Sequence, residues 1–161
     1  MFTIGDSIFI KAPIERCFLL STNVELVGQT YGMKPIEGKT KGMVEADDKL
    51  LWAGWKFGMP QMHESVITEY ERPNFFQDTM TRGRFKRYQH DHYFYEMDDR
   101  TVLNDKIRFS LPLGPLGRVI GQFVVVPYLA RRLRRRLVLL RRVAENNQEW
   151  KKYLPSENGA R

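Results

Sequence analysis

The sequence is poor in the residues that form disulfide frameworks and metal clusters. It contains one cysteine, Cys17, and three histidines among 161 residues. A lone cysteine excludes an intramolecular disulfide and leaves no cysteine cluster for zinc. We therefore expect Cys17 to be a small buried hydrophobe, and we expect the protein to use no metal ion and no other cofactor.

Long hydrophobic runs and phosphate-binding loops are also missing. No stretch of eighteen apolar residues occurs, so a transmembrane helix is excluded. The first residues lack the basic and apolar regions of a signal peptide, and no glycine-rich loop of the dinucleotide-binding or P-loop type is present. These absences predict a soluble, cytoplasmic protein without a Rossmann-type sheet.

Acidic residues are missing from one segment, and that segment carries the whole net charge of +7. Residues 118–142 contain eight arginines and no acid, whereas residues 1–117 contain 15 basic and 16 acidic residues. A nucleic-acid-binding domain usually spreads its basic residues over a whole face. Nucleic acid is therefore not favoured as a partner, and the sequence indicates no oligomeric state.

What the chain does contain is an apolar share of 42% and many short β-type stretches. Residues 6–12 alternate as a strand does. Pro13 then starts a short helix over 13–20, and Asn23 caps a second one over 24–31. From 34 to 111, stretches rich in Val, Ile, Thr and aromatic residues alternate with turn residues about every dozen positions, which predicts six antiparallel strands.

A long amphipathic helix is predicted to follow the Pro/Gly-rich segment 111–118, from near Leu116 to near Tyr153. Pro127 interrupts the pattern and predicts a kink. Residues 1–154 should form a single domain, and 155–161 a flexible tail. The apolar stripe follows helical spacing and consists of Leu129, Leu133, Leu137, Leu140 and Val143.

Together these elements predict an α+β fold in which a curved, seven-stranded antiparallel sheet wraps around the C-terminal helix, with two short helices after the first strand. The apolar face of a bent sheet needs a cover, and the last helix is the only long amphipathic element available. A cavity between sheet and helix is then the most informative functional feature of the chain.

Three stretches resemble one known superfamily: FIKAPIERCF, FFQDTMTRGRFKRYQHDHYF and TVLNDKIRFSLPLGPLGRV. They are similar to the helix-grip proteins of the SRPBCC superfamily, which includes START domains, the birch-pollen allergen family and polyketide cyclase/dehydrase-like proteins. The resemblance is closest to bacterial ligand-binding members of unassigned function. It implies the fold above but no particular ligand. The positions that match the motifs are Gly83, Phe85, His90, His92, Asp105, Pro112, Gly114, Leu116 and Gly117.

The register of the central hairpins decides which side chains face the helix. A two-residue turn at Asp98–Asp99 pairs His92 with Asp105 and His90 with Ile107. The apolar face of these two strands then carries alternate residues, namely Tyr88, His90, His92, Phe94, Leu103, Asp105, Ile107 and Phe109.

The preceding hairpin leaves two registers open. A three-residue connection at 83–85 places Asp78 opposite His90 and Phe76 opposite His92, with Met80 also inward. A two-residue turn would shift the register and turn Asp78 away from the histidines. We favour the three-residue connection because it keeps Phe76 and Met80 on the apolar face.

His90, His92, Asp105 and Asp78 are the candidate catalytic or anchoring residues. A carboxylate beside an imidazole fixes its tautomer and raises its basicity, leaving the other nitrogen for a ligand. The alternative is a structural cluster whose members satisfy one another. The candidate ligand-binding residues are Tyr88, Phe94, Leu103, Ile107, Phe109, Phe76 and Met80 on the sheet, and Phe123 and Val126 on the helix.

The arginines of the last helix have two interpretations. The arginines expected to point outward form either a solvated face, on which their aliphatic stems cover apolar surface, or a docking site for anionic lipid headgroups or RNA. They are Arg131, Arg134, Arg135 and Arg142.

We therefore expect a binder of a small hydrophobic or amphipathic molecule. The first alternative is a cyclase or dehydratase that uses histidine acid–base chemistry on a polyketide-like or aromatic substrate. The second is a peripheral protein that contacts an anionic membrane or the ribosome through its arginines.

Overall fold

A seven-stranded antiparallel sheet with the strand order β1-β7-β6-β5-β4-β3-β2 forms one layer of the protein. The computed structural model describes residues 1–56 and 58–154; the predicted tail, 155–161, lies outside them. The strands are β1 (Phe2–Ile10), β2 (Lys34–Gly38), β3 (Lys49–Lys56), β4 (Met59–Glu71), β5 (Phe75–Arg82), β6 (Arg87–Met97) and β7 (Arg100–Ser110).

The helices lie close to where the sequence places them, except that the C-terminal helix ends at Glu145 rather than near Tyr153. The two short helices are α1 (Ile14–Thr22) and α2 (Val24–Tyr31). Asn23 caps α2 by accepting a hydrogen bond from the Leu26 N–H at 2.8 Å, and α2 ends at Gly32, which has a φ of 59°. The C-terminal helix consists of α3 (Gly114–Ile120), a π-helical turn (Gly121–Val125) and α4 (Val126–Glu145), and a short 3₁₀ helix follows at Glu149–Lys152. The predicted helix-grip fold is confirmed.

The predicted hairpin registers are also confirmed. His92 pairs with Asp105 and His90 with Ile107 across β6 and β7, and Asp78 pairs with His90 across β5 and β6. Asp98 has a φ of 53°, which is a conformation that the tight turns of hairpins require. Both histidines and Asp105 therefore lie on the face of the sheet that α4 covers, and all three are buried.

Three clusters of buried hydrophobic residues form the core, and one of them contains Val24 of α2 and Trp52 of β3. Near α1, Phe18 is completely buried and packs edge-on against Phe76 and Phe94, with ring centroids 5.6 and 5.3 Å apart. At the other end of the sheet, Tyr88 and Phe109 pack with residues of α4. The whole predicted stripe of α4 is buried, with exposed fractions of at most 3%.

Upstream of Pro127, the residues that face the protein differ from the prediction, which placed Phe123 inward. Pro127 has no N–H to donate and its ring would clash with the carbonyl four residues before it, and a wider π-helical turn directly precedes it. A π-helical turn adds a residue to the turn and rotates what precedes it. Val125 and Gly121 therefore face the protein, whereas Phe123 is 75% exposed. The assignment of Phe123 to the ligand-binding face was wrong.

Candidate ligand-binding site

Four predicted residues and one arginine form a buried polar cluster beneath α4. His92 lies between two carboxylates: its Nδ1 is 2.8 Å from Asp105 Oδ1 and its Nε2 is 3.3 Å from Asp78 Oδ2. His90 lies beside it, with ring centroids 3.8 Å apart. Arg136 of α4 donates a hydrogen bond to Asp105 Oδ2. Strands β5, β6 and β7 and helix α4 thus each contribute to one connected network.

Arg136 is the member that the sequence interpretation missed. It is 5% exposed, and its second amino group donates to the Ser21 carbonyl at 3.2 Å. Arg136 is easily overlooked in the run RRLRRR, because Arg134 and Arg135 directly before it are exposed. Helical phase was the available signal: position 136 is three residues after Leu133 and four before Leu140, so it falls on the inward stripe.

The charges in this cluster depend on one another. Burial by itself would raise the pKa of the Asp105 carboxyl, but the Arg136 guanidinium and the His92 imidazole outweigh it and hold that pKa well below its usual range. Asp78 shows the same balance: burial opposes ionisation, and His92 and His90 lower its pKa. For His90 the effect of burial prevails. Burial and the neighbouring His92 disfavour the protonated imidazole and lower its pKa to about 4. His90 is therefore neutral at neutral pH.

The geometry of the cluster is closed rather than open to a substrate. Both ring nitrogens of His92 face carboxylates, so neither is directed at a ligand. Nε2 of His90 lies 3.5 Å from Asp105 Oδ2 but makes no hydrogen bond within the described residues. Asp78 Oδ1 likewise makes no hydrogen bond within the described residues. A cavity of about 50 Å³ adjoins Asp78, His90, His92 and Arg136, which is enough room for water.

A divalent cation is not an obvious occupant of this cluster. Asp78, His90 and His92 present ligand atoms within 4.8 Å of one another. Arg136, however, already supplies a positive charge to the same network through Asp105. A cation there would have to share the available negative charge with the guanidinium.

A larger, apolar cavity of about 200 Å³ lies beside this cluster, between the β3–β4 hairpin, the 83–86 connection and the C-terminal helix. Its aromatic, methionine and aliphatic walls are of the kind that small-molecule sites use. The residues that line it are Tyr31, Met33, Met59, Gln61, Met62, His63, Arg84, Phe85, Tyr88, Leu111, Val125, Tyr128, Leu129 and Arg132.

The polar groups of this cavity are few and are held in place by aromatic rings. The guanidinium of Arg132 stacks on Tyr31, 3.8 Å from the ring centroid. His63 meets Tyr88 edge-on at 5.4 Å. Burial raises the pKa of Tyr88 well above its ordinary value, so its hydroxyl keeps its proton. Sequence reasoning did not assign Tyr31, His63 or Arg132 to the site because three separate elements bring them together.

The predicted ligand-binding residues divide between these regions. Of the nine, Tyr88 lines the apolar cavity itself, and Phe76 lines the small polar cavity. Phe94 and Leu103 are at most 1% exposed and pack in the core near α1, and neither is among the described residues that line the two cavities. Phe123 is exposed. The remaining four pack in the cluster behind the apolar cavity, and they are Met80, Ile107, Phe109 and Val126.

The four arginines expected on the surface are exposed. Arg134 lies 3.6 Å from Asp6, and Arg142 lies 3.2 Å from Glu149. Arg131 and Arg135 line an open depression of about 430 Å³ together with Trp55 and Tyr128. Among the described residues, no helix is long and apolar enough to cross a bilayer.

Comparison with known proteins identifies the fold through structure alone. No protein-family model matches the sequence, and no curated protein matches it. Among solved structures, the protein TTHA0849 from Thermus thermophilus is similar with a TM-score of 0.70 and 17% identity, over 88% of this chain and 95% of that one. A START superfamily protein from Mycobacterium smegmatis has a TM-score of 0.57 and 15% identity, over 86% and 98%.

A third similar structure is the di-domain ARO/CYC BexL from the BE-7585A biosynthetic pathway. Its TM-score is 0.70 at 16% identity, over 91% of this chain and 50% of that one. At identities this low, the structural similarity establishes a shared fold but no shared activity, because proteins of one fold can have different activities.

Proposed function

We propose that the protein binds a small hydrophobic or amphipathic molecule in the apolar cavity between the sheet and the C-terminal helix. The observation that carries this proposal is the cavity of about 200 Å³ with its aromatic and methionine walls. Cavities of small-molecule sites typically measure about 300–1,000 Å³, so a single ring system or a medium-length chain is the class of ligand that suits this volume.

The chemistry of the lining predicts how such a ligand is oriented. Its apolar body lies against Met33, Met62 and Phe85, which line the cavity. Its polar end lies at Arg132, whose guanidinium is fixed on the face of Tyr31. No acidic residue is among the described residues that line this cavity. An anionic head group therefore suits the site better than a neutral one, since arginine binds carboxylates and phosphates with charge-assisted hydrogen bonds.

The polar cluster supports binding better than it supports acid–base catalysis. A catalytic imidazole needs one nitrogen directed at the substrate, and both nitrogens of His92 are directed at carboxylates. His90 lies at a small cavity of about 20 Å³ whose lining also includes Tyr88 and Arg132. In this proposal the cluster fixes the wall of the apolar cavity, and a ligand contacts it only through His90.

A fluorescence displacement assay tests the proposal. N-phenyl-1-naphthylamine, which becomes fluorescent in apolar sites, serves as the reporter, with decanoate and decan-1-ol as competitors that share a chain and differ in head group. We expect the reporter to bind and both competitors to displace it. Decanoate should do so at a roughly tenfold lower concentration, equivalent to about 1.4 kcal/mol. Arg132→Met should remove the difference between the two competitors.

Two matched tryptophan variants place the binding in this cavity. Val125 lines it, whereas Val138 of the same helix is 40% exposed and is not among its lining residues. Val125→Trp should fill the cavity and weaken reporter binding roughly tenfold or more, and Val138→Trp should leave binding unchanged. Equal affinity in wild type and Val125→Trp, or no reporter binding to the wild type, would contradict the proposal.

A further inference from the structure

The first part of the C-terminal helix has its small and large residues on unexpected sides. Gly117 and Gly121 are buried, and a Cβ atom at position 121 would lie 2.4 Å from the Phe2 ring. The large apolar residues of the same stretch point away from the protein. We call these six residues the apolar rim, and they are Leu113, Leu116, Val119, Ile120, Phe123 and Val124, with exposed fractions of 67, 59, 56, 37, 75 and 47%.

The apolar rim continues into the mouth of the apolar cavity. Leu111, just before the rim, and Val125, just after it, both line that cavity. Across the opening, Met59 and Met62 of the β3–β4 hairpin line the same cavity and are 45 and 46% exposed. Exposed apolar surface is thus concentrated where a ligand would enter, and a patch of this kind marks a site of interaction.

Positive charge and an interfacial aromatic residue lie next to this surface. Residues 106–144 contain no acidic residue, and the arginines of 118–142 are the source of the net charge. Trp55 is 73% exposed and shares a depression with Arg131 and Arg135. Tryptophan is enriched where a protein meets the headgroup region of a bilayer. Arginines beside inserted apolar side chains are the usual composition of an interfacial helix.

We propose that this face docks on an anionic lipid bilayer, with the apolar rim inserted among the headgroups and Arg131 and Arg135 on the lipid phosphates. Charge distinguishes the bilayer from a second copy of the chain. A symmetric pair joined through this face would bring two acid-free, arginine-rich segments together, and the repulsion would oppose association. In the docked state, the mouth of the apolar cavity faces the membrane, from which an apolar ligand can enter it without crossing water.

Vesicle flotation with the full chain tests the apolar contribution. The probes are vesicles of phosphatidylcholine alone and of phosphatidylcholine with phosphatidylglycerol, at low and at high salt. Wild type should float with the phosphatidylglycerol vesicles at low salt and dissociate at high salt. Phe123→Ser should lower the partition coefficient roughly fivefold to tenfold. The matched control is Phe9→Ser, because Phe9 is 52% exposed on β1, and it should float like wild type.

A second pair of variants tests the charges. Arg131→Gln with Arg135→Gln should lower binding to the anionic vesicles by about fivefold per arginine. Arg100→Gln with Lys11→Gln removes the same charge from residues that line a different depression, near the β6–β7 turn, and should have little effect. Circular dichroism verifies that each variant is folded.

Three outcomes would overturn the proposal. One is equal binding to the neutral and the anionic vesicles, or to neither. Another is an equal loss in Phe9→Ser and Phe123→Ser. The third is a dimer in solution that Phe123→Ser dissociates, because the rim would then be covered by a second copy. None of these outcomes depends on whether the cavity binds a ligand, so the membrane proposal and the ligand proposal are tested separately.

Discussion

The two parts of the C-terminal helix solve the same packing problem in opposite ways. In α4, leucines face the sheet and most arginines face outward, so the apolar side of the helix is covered by the protein itself. In the preceding stretch, from Leu113 to Val125, Gly117 and Gly121 face the protein and the apolar rim faces outward. The apolar side of this first part is left uncovered by the described residues.

This difference indicates that α4 stabilises the fold and that the first part of the helix is available for contact with a partner. Burial of apolar surface is favourable wherever it occurs, so α4 gains it on folding and the first part can gain it only by contact with a partner. α4 also brings Arg136 into the core, where its charge is matched by Asp105. Substitutions that reach the core from α4 should therefore affect folding strongly, and those on the apolar rim should affect it little.

The largest effect on folding is expected for Arg136→Met. Removing one partner of a buried ion pair leaves the other charge uncompensated, which typically costs about 3–5 kcal/mol. We expect a loss of that size in the free energy of unfolding, measured with urea at pH 7. Arg135→Met, the exposed neighbour, should change stability by less than about 0.5 kcal/mol. Equal effects of the two substitutions would show that Arg136 is not part of the core.

The next largest effect is the pH dependence of stability that the buried His90 beneath α4 causes. Burial lowers the pKa of His90 from 6.5 to about 4. Between these values the unfolded chain binds a proton and the folded protein does not, so stability falls as the pH falls from about 7 to about 4. The loss should be about 3 kcal/mol. The lowered pKa values of Asp78 and Asp105 add their own loss at still lower pH.

Urea unfolding across this pH range measures the effect, with His90→Gln as the comparison. The variant removes the titrating group, so its stability should change much less between pH 7 and pH 4. Parallel curves for wild type and His90→Gln would mean that another group is responsible for the loss.

The smallest effect is expected in the first part of the helix, for Gly121→Ala. In an exposed helix this change stabilises by about 1 kcal/mol. Here the added Cβ would lie 2.4 Å from the ring of Phe2, and overpacking of this kind typically costs about 1–3 kcal/mol. We expect a net loss of about 1 kcal/mol in thermal or urea unfolding. Gln122→Ala, on the exposed side of the same turn, serves as the control. A stabilised Gly121→Ala would show that the helix does not pack closely here.

Much of the fold and half of the site could be predicted because the signals are local. The turn at Asp98–Asp99 sets the register of β6 on β7, and one register places every second residue on the same face. That rule brought His90, His92 and Asp105 to one face, and the choice of the three-residue connection at 83–85 added Asp78. Asn23 likewise marked the start of α2 correctly, since an N-cap is a property of a few neighbouring residues.

The error at Phe123 comes from the phase of the C-terminal helix. A stripe read at constant helical spacing places Phe123 inward, but the π-helical turn before Pro127 rotates it outward and puts Gly121 and Val125 in its place. Arg136 was missed for another reason: the phase of α4 places it on the inward stripe, but it stands in a run of arginines that was interpreted as a surface face. The sequence interpretation also placed the cavity beside Phe94 and Leu103. In the structure, side chains near α1 fill that part of the interface between sheet and helix.

The amino-acid sequence alone was enough to predict the element order, the register of β6 on β7, the inward position of His90, His92 and Asp105, and the concentration of charge in one helix. Each of these follows from periodicity, turn chemistry or composition, which act over a few residues. Only the tertiary structure decided that Arg136 completes the polar cluster, that the open cavity lies beside it, and that the apolar rim faces outward. Those outcomes depend on how a helix is rotated and how side chains from distant segments fill space, and packing over the whole fold settles both.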